Sequence, residues 1–342
     1  MKVLIDALGA TEYSGGMMLH ASEIINTWGE NFPDDELVVV GGSALFRKII
    51  ATPRLREIHY PNESFLTRAP GQLFVTPLLA WRFKVDEIVS LSPIVSRSIR
   101  TKKTICFQHD WRHIRHPDEF SRLQRIYRYL WRISARHARW NVCISEKTAI
   151  ETVSLESRAN VIVIPNGRDH ARRWAPRQTD TPATDIAITF GHHINKRPEL
   201  VIKAWALLPP NTTTKLKVLG ARGDYATHLQ RLIDSLQMHE KIDLVGFVSD
   251  LEYQNLVSSS RCLILASSDE GFGLPIAEAE YLHIPAVITS DIGVVDLFPN
   301  ALVAAPSPKD LSEKIGLALN NPPHRKTDAW TWLDMVTAIR KL

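Results

Sequence analysis

The sequence predicts an α/β protein with room for two domains. Short apolar runs bounded by polar residues alternate with stretches of helical periodicity. Several of those runs end in a glycine-bearing loop that opens a helix. The chain has 342 residues, enough for two cores of ordinary size.

The stretch Arg261–Ser290 shows the pattern whole. Cys262–Ala266 is an apolar run that reads as a strand buried on both faces. The loop Ser267–Gly273 carries Gly271 and Gly273, and Pro275 stands where a helix can begin, since its missing N–H is no loss in a first turn. Ala286–Thr289 is the next buried strand. A helix N-terminus offers unpaired N–H groups and partial positive charge, and glycines let backbone approach a ligand closely. Such a site suits phosphate or sugar oxygens. Glu270 and Glu278 bracket it, and carboxylates accept hydrogen bonds from hydroxyls.

Taken in order, Val3–Ile5 is a first strand, and a loop ending in Gly15-Gly16 opens a helix on which Met18, Ala21, Ile25 and Trp28 recur. The dinucleotide fingerprint G-x-G-x-x-G is absent. Leu37–Val40 and Ile88–Ser90 are strands. Thr104–Phe107 is another, and it delivers Gln108-His109-Asp110 to its carboxyl end, the edge where open α/β sheets bind ligands.

Residues 119–140 form an amphipathic basic stretch. Phe120, Leu123, Ile126, Tyr127, Leu130 and Ile133 make an apolar stripe, and Arg122, Arg125, Arg128, Arg132, Arg136 and Arg139 follow a similar step. It reads either as a surface helix packed on its sheet or as contact with an anionic surface such as membrane headgroups. No nucleic-acid motif accompanies it.

Asn141–Ser145 and Val161–Ile164 are strands, and Ser145 caps the helix starting at Glu146. Arg168–Thr184, rich in Arg, Pro and Thr, reads as a linker. Ile186–Phe190 is a strand that leads into Lys196-Arg197, adjacent cations that suit a pyrophosphate. Leu216–Gly220 follows. After Thr289 the chain reads as irregular until a helix over Leu311–Leu319, and the last residues, 330–342, are amphipathic.

Composition narrows the class. Apolar content of 44% and charged content of 23% are those of a globular protein. No apolar run approaches the roughly 20 residues that span a bilayer, and Asp6 interrupts a start too short for a signal peptide. Three unpatterned cysteines, Cys106, Cys143 and Cys262, argue for thiols in a reducing compartment rather than disulfides or a metal site. Residues 1–167 carry 22 Lys and Arg against 17 Asp and Glu, the remainder 19 against 20. The basic excess lies in the N-terminal half.

Glu270 and Glu278, with Gly271-Phe272-Gly273-Leu274-Pro275 between them, resemble the E-x7-E signature of family 4 retaining glycosyltransferases. Ile164-Pro165-Asn166-Gly167 resembles that family's sequence at the end of a first domain, and Gly246-Phe247-Val248-Ser249-Asp250 its segment beside the nucleotide base. The resemblance extends to bacterial mannosyl- and rhamnosyltransferases of surface polysaccharide synthesis. It implies the GT-B fold: two Rossmann-like domains facing across a cleft, residues 1–167 binding acceptor and 168–325 binding nucleotide sugar, with a terminal helix (326–342) returning to the first.

The resemblance also implies roles. Glu278 would bind ribose hydroxyls. Glu270 and the backbone of Gly271, Phe272, Gly273 and Leu274 would hold the transferred sugar. Gly15 and Gly16 would approach the diphosphate, Lys196 and Arg197 would neutralise it, and His109 would lie near the sugar. Asn166, Gly246 and Phe247 would complete the donor site. The expected activity is metal-independent, retaining transfer of a hexose from a nucleotide diphosphate sugar to a glycan or lipid-linked acceptor, with no cofactor. The expected location is cytoplasmic, with peripheral contact to the inner face of the membrane through the 122–139 helix. The other readings are a nucleotide-sugar epimerase of the same fold and a non-catalytic protein that binds sugar nucleotides or polyanions.

Overall fold

The structure is a computed structural model, and it describes residues 1–12, 14–98, 103–174, 185–320 and 330–342. The chain divides into two compact units, Met1–Gly167 with Trp330–Leu342, and Arg168–Ala329.

The first unit runs β1 (Lys2–Asp6), α1 (Gly15–Asn31), β2 (Glu36–Gly41), α2 (Ser43–Phe46), β3 (Leu55–His59) and α3 (Phe65–Pro70). A π-helical turn, Gly71–Val75, leads into α4 (Thr76–Phe83) and β4 (Glu87–Ser90). Then follow β5 (Lys103–Gln108), α5 (Arg112–Arg115), α6 (Arg122–His137), β6 (Trp140–Cys143), α7 (Glu146–Leu155) and β7 (Val161–Val163). Its seven strands are parallel, in the order β3-β2-β1-β4-β5-β6-β7.

The second unit runs β8 (Ile186–Phe190), α8 (Pro198–Trp205), β9 (Lys215–Leu219), α9 (Gly223–Ser235), β10 (Ile242–Val245) and α10 (Asp250–Ser259). It continues with β11 (Cys262–Leu265), α11 (Leu274–Tyr281), β12 (Ala286–Thr289), β13 (Leu302–Ala304) and α12 (Pro308–Asn320). Its six strands are also parallel, in the order β10-β9-β8-β11-β12-β13. Both sheets therefore follow the doubly wound plan, whose strand order reverses beside the first strand. Parallel strands covered on both faces need apolar side chains on both, and β11 and β12 are buried at every position.

Three strands absent from the sequence reading are β3, β10 and β13, and each closes an edge of its sheet. Edge strands need no continuous apolar run. β3 exposes Arg56, Glu57 and His59, so no buried-strand signal marks it.

The basic helix differs from expectation in length and facing. It ends at His137, so Arg139 lies outside it and Trp140 begins β6. Ser121 and Gln124 close a capping box at its start. Its inward face is Trp131, Ser134 and Ala135, and Tyr127 and Leu130 of the predicted stripe pack beside them, while Leu123 and Ile126 of that stripe face solvent together with Tyr129. Arg128 is turned inward, its guanidinium 4.3 Å from the Phe120 ring centroid and 4.4 Å from that of Trp131.

The C-terminal helix, α13 (Trp332–Lys341), belongs to the first unit, whose second segment is Trp330–Leu342. Residues 321–329 lie outside the described set. Trp332, Met335, Val336 and Ile339 form its buried face, and it packs on α1. Arg340 donates to Asp35, which also accepts from Trp28 Nε1 and the Met1 amine. All three cysteines are free thiols and buried.

Trp332 also explains Gly167. A Cβ there would lie 2.3 Å from the Trp332 amide nitrogen and 2.6 Å from its Cα, and backbone cannot swing aside as a side chain can. Gly167→Ala is expected to destabilise the protein by about 1–3 kcal/mol, the range for overpacking a close-packed site. A chemical-denaturation midpoint equal to wild type would show that the chain relaxes there without cost.

Candidate functional site

In the second unit the order reversal falls between β8 and β11. The loop leaving β8 carries Lys196 and Arg197, and the loop leaving β11 carries Glu270 to Gly273. The two loops are stitched together: Asn195 Nδ2 donates to the Asp269 carbonyl at 3.1 Å, and the Ser268 amide donates to the Asn195 carbonyl at 2.9 Å. Strand order thus brings together residues 74 positions apart, and the Lys196 ammonium hydrogen-bonds the Glu270 carboxylate. Both side chains are largely buried, at 13% and 14% exposure, so their attraction is screened less than that of a surface pair.

Arg197 is placed differently from its neighbour. Its guanidinium grips the Asp291 carboxylate through both terminal nitrogens, at 2.8 and 2.7 Å, and also reaches the Ala266 carbonyl and Thr289 Oγ1. It ties the ends of β11 and β12 together. The pair holds the Asp291 carboxyl below the usual carboxylate range: burial works against this, and the bonds and charge of Arg197 outweigh it.

α11 begins without a side-chain cap. Gly273 precedes it in the left-handed region, φ +92, and a Cβ there would meet the Phe298 ring at 3.1 Å, so only glycine fits. Pro275 has no N–H, and the Ile276 and Ala277 amides donate to the Gly273 carbonyl at 3.0 and 3.2 Å, so at the helix start it is the Leu274 N–H that the helix leaves for an anionic oxygen. Phe272 is buried edge-on to Phe298, so this loop offers backbone rather than the Phe272 ring.

Glu278 lies in the second turn of α11 and is buried, its side chain 5% exposed. Its two oxygens accept from different elements: Oε1 from His170 Nε2 at 3.0 Å, Oε2 from the Tyr253 hydroxyl. His170 belongs to a 3-10 turn, Asp169–Arg173, in the stretch read as linker. That reading is corrected for residues 168–174, while 175–184 lie outside the described residues. Arg168 pairs with Glu280 at 2.9 Å and donates to the Leu297 carbonyl. The turn is therefore pinned to α11 at two carboxylates. Gly246 and Phe247 follow β10, both exposed. The Arg222 guanidinium covers one face of the Phe247 ring at 4.9 Å.

In the first unit, Gly15 and Gly16 are the first residues of α1 rather than loop, both exposed. No side chain caps this helix, because Ser14 Oγ turns back to Thr11. His109 follows β5, and its Nε2 donates to the Leu91 carbonyl at 2.9 Å. It packs edge-on to His20, centroids 4.7 Å apart. Burial holds His109 below the usual histidine range, and burial with the neighbouring His109 holds His20 far below it. Asn166 is 2% exposed, with its side-chain oxygen 3.0 Å from His20 Nδ1. The sequence places it at a ligand; the structure sets its amide inside the fold. At the end of β1, burial raises the Asp6 carboxyl to about 6 against hydrogen bonds from Thr76 and Leu8.

Three partners were missed by sequence reasoning: His20, His170 and Tyr253. His170 and Tyr253 stand 108 and 25 positions from Glu278, and no local spacing reveals such contacts. Among the described residues, no three or more His, Cys, Asp or Glu side chains gather as metal ligands.

Comparison with known proteins agrees with this architecture. The family described as Glycosyltransferase Family 4 matches residues 26–172, and that described as Glycosyl transferases group 1 matches 178–328. The chain belongs to the family 4 glycosyltransferases. It is 27% identical over 190 residues to the O-antigen chain mannosyltransferase RfbU of Salmonella typhimurium, covering 54% of this chain and 51% of that protein. The chain thus spans about half the length of this curated relative.

Among solved structures, it resembles sucrose-phosphate synthase from Thermosynechococcus elongatus, with TM-score 0.74, 14% identity, 98% of this chain and 92% of the other. It also resembles Anabaena HepE in complex with UDP and glucose, with TM-score 0.69, 19% identity, 99% and 94% coverage. At such identities the likeness concerns the fold, and that fold is the GT-B class.

The fork on Asp291 gives a stability prediction. Lysine keeps the charge of Arg197 but loses the planar fork. Arg197→Lys is expected to cost about 1.5–3 kcal/mol, the scale of a charged hydrogen bond, read as a lower denaturation midpoint. An unchanged midpoint would show that the β11–β12 tie is dispensable.

Proposed function

We propose that the chain is a retaining, metal-independent hexosyltransferase. It takes a hexose from a nucleotide diphosphate sugar and places it on a hydroxyl of a glycan or lipid-linked acceptor in surface polysaccharide synthesis. The observation that carries this reading is the convergence of Lys196, Glu270, Glu278 and the uncapped start of α11 at one carboxyl edge of one sheet. The relative named as an O-antigen mannosyltransferase and the neighbour solved with UDP and glucose support it.

In this reading Lys196, the Leu274 N–H and the positive end of the α11 dipole stabilise negative charge on the departing diphosphate, preorganised electrostatic work. Lys196 exchanges Glu270 for phosphate oxygens as the donor enters, and the released Glu270 carboxylate accepts sugar hydroxyls. Glu278 accepts from the ribose. Arg197 holds the loop ends in register and contributes positive field rather than a free fork. The two carboxylates bind hydroxyls and are not a glycosidase acid and nucleophile pair.

The test is turnover and calorimetry with UDP-, GDP-, ADP- and dTDP-hexoses, using wild type, Lys196→Ala and Glu278→Ala. One donor family should bind, and Glu278→Ala should weaken it by about 1.5–3 kcal/mol. The anomeric configuration of the product, read by NMR, decides retention, and turnover in EDTA decides metal independence. Equal donor affinity in wild type and Glu278→Ala would remove Glu278 from the site.

We also propose that α6 rests on an anionic bilayer surface from the cytoplasmic side. Its exposed face mixes Arg122, Arg125 and Arg132 with Leu123, Ile126 and Tyr129, a pattern suited to the headgroup region. No helix among the described residues is long and apolar enough to cross a membrane. Replacing Arg122, Arg125 and Arg132 by Ser should reduce co-sedimentation with phosphatidylglycerol vesicles, and salt should reduce that of wild type. Equal pelleting would leave α6 as an ordinary solvated helix.

A further inference from the structure

A carboxylate has about four acceptor directions, two on each oxygen. Glu278 uses one on Oε1 for His170 and one on Oε2 for Tyr253. One direction per oxygen remains, which matches two hydroxyls on adjacent carbons. The 5% exposure of the side chain leaves only a narrow approach, so the direction in which the carboxylate points decides what it can read.

That direction is fixed from both sides. His170 is 2% exposed and lies edge-on to Trp174, centroids 6.0 Å apart. Trp174 in turn lies edge-on to Tyr253 at 5.9 Å, and Tyr253 leans on Phe190 at 6.4 Å. The turn bearing His170 is anchored independently by Arg168 on Glu280 and on the Leu297 carbonyl. A glutamate alone has three rotatable bonds, and without these donors its carboxylate would sample several directions before meeting a ligand.

We infer that Tyr253 and His170 are positioning residues. They aim Glu278 so that the site takes a ribonucleoside diphosphate and rejects its 2′-deoxy counterpart. The inference rests on the nucleotide-sugar reading above and adds to it the sugar of the nucleotide. Both ribose hydroxyls are read by one pre-aimed carboxylate, and a nucleotide lacking the 2′-hydroxyl leaves one buried acceptor direction unpaired, which is costly.

The experiment is calorimetry of the full chain with UDP, GDP and ADP. The 2′-deoxy form of whichever binds most tightly is then measured against wild type, Tyr253→Phe, His170→Ala and His170→Gln. Phenylalanine keeps the ring against Trp174 and Phe190 and removes only the hydroxyl. Glutamine returns an N–H donor near the position of His170 Nε2.

Wild type should prefer the ribonucleotide. In Tyr253→Phe and His170→Ala the ratio of the two dissociation constants should fall by roughly threefold to tenfold, and His170→Gln should restore it. A ratio equal to wild type in Tyr253→Phe, whether or not both affinities drop together, would reduce Tyr253 to a packing residue and overturn the inference while leaving the donor site intact. Binding of dTDP but of none of these three would overturn the inference alone, and failure of wild type to bind any of the four would overturn the nucleotide-sugar reading and the inference with it.

Discussion

In a sheet of parallel strands every connection leaves from the same edge, and where the strand order turns back, two neighbouring connections depart to opposite faces. The opening between them is filled by neither helix. In the second unit that opening lies between β8 and β11, and the features of the candidate site follow from it. Lys196 and Glu270 meet because their loops leave adjacent strands there. α11 starts there, so its Leu274 N–H and the positive end of its dipole lie at the same place. Arg197 and Asp291 hold the flanking loops at fixed spacing, which lets the opening stay open without collapsing.

This arrangement carries its own electrostatic tension. A lysine and a glutamate with most of their surface buried lose hydration, and their mutual contact helps to offset the loss. Glu278 is deeper still and relies on His170 and the Tyr253 hydroxyl rather than on a lysine or arginine. A carboxylate held this way keeps acceptor capacity that a tight ion pair would have taken up. Glu280, two residues on, shows the contrast: Arg168 pairs with it directly and it serves to anchor a turn.

Much of this could be read in the residues. Cys262–Leu265 and Ala286–Thr289 announce themselves because central parallel strands must be apolar on both faces. Gly273 and Pro275 mark the start of α11 because backbone geometry dictates both. β3, β10 and β13 could not be read, since an edge strand is wetted along one side and loses the signal. α6 was legible as amphipathic but not in its facing: arginine stems and leucines share a period, and the buried side consists of Trp131, Ser134 and Ala135, two of them small. His170 and Tyr253 were beyond reach because their meaning lies in a contact with Glu278 made only after the chain has folded.

The buried cysteines have a practical consequence. Cys106 and Cys143 lie in the sheet of the first unit and Cys262 in that of the second. Burial raises every thiol, Cys143 to about 11 and Cys262 to about 12, and that of Cys106 further still. A thiolate is the reactive form, so each is silent while its strand is in place. Each unit thus carries its own chemical clock: alkylation of Cys262 times the opening of one sheet, and alkylation of Cys106 and Cys143 times the other. Mass spectrometry of labelled peptides can follow the two on the same sample without introducing a probe.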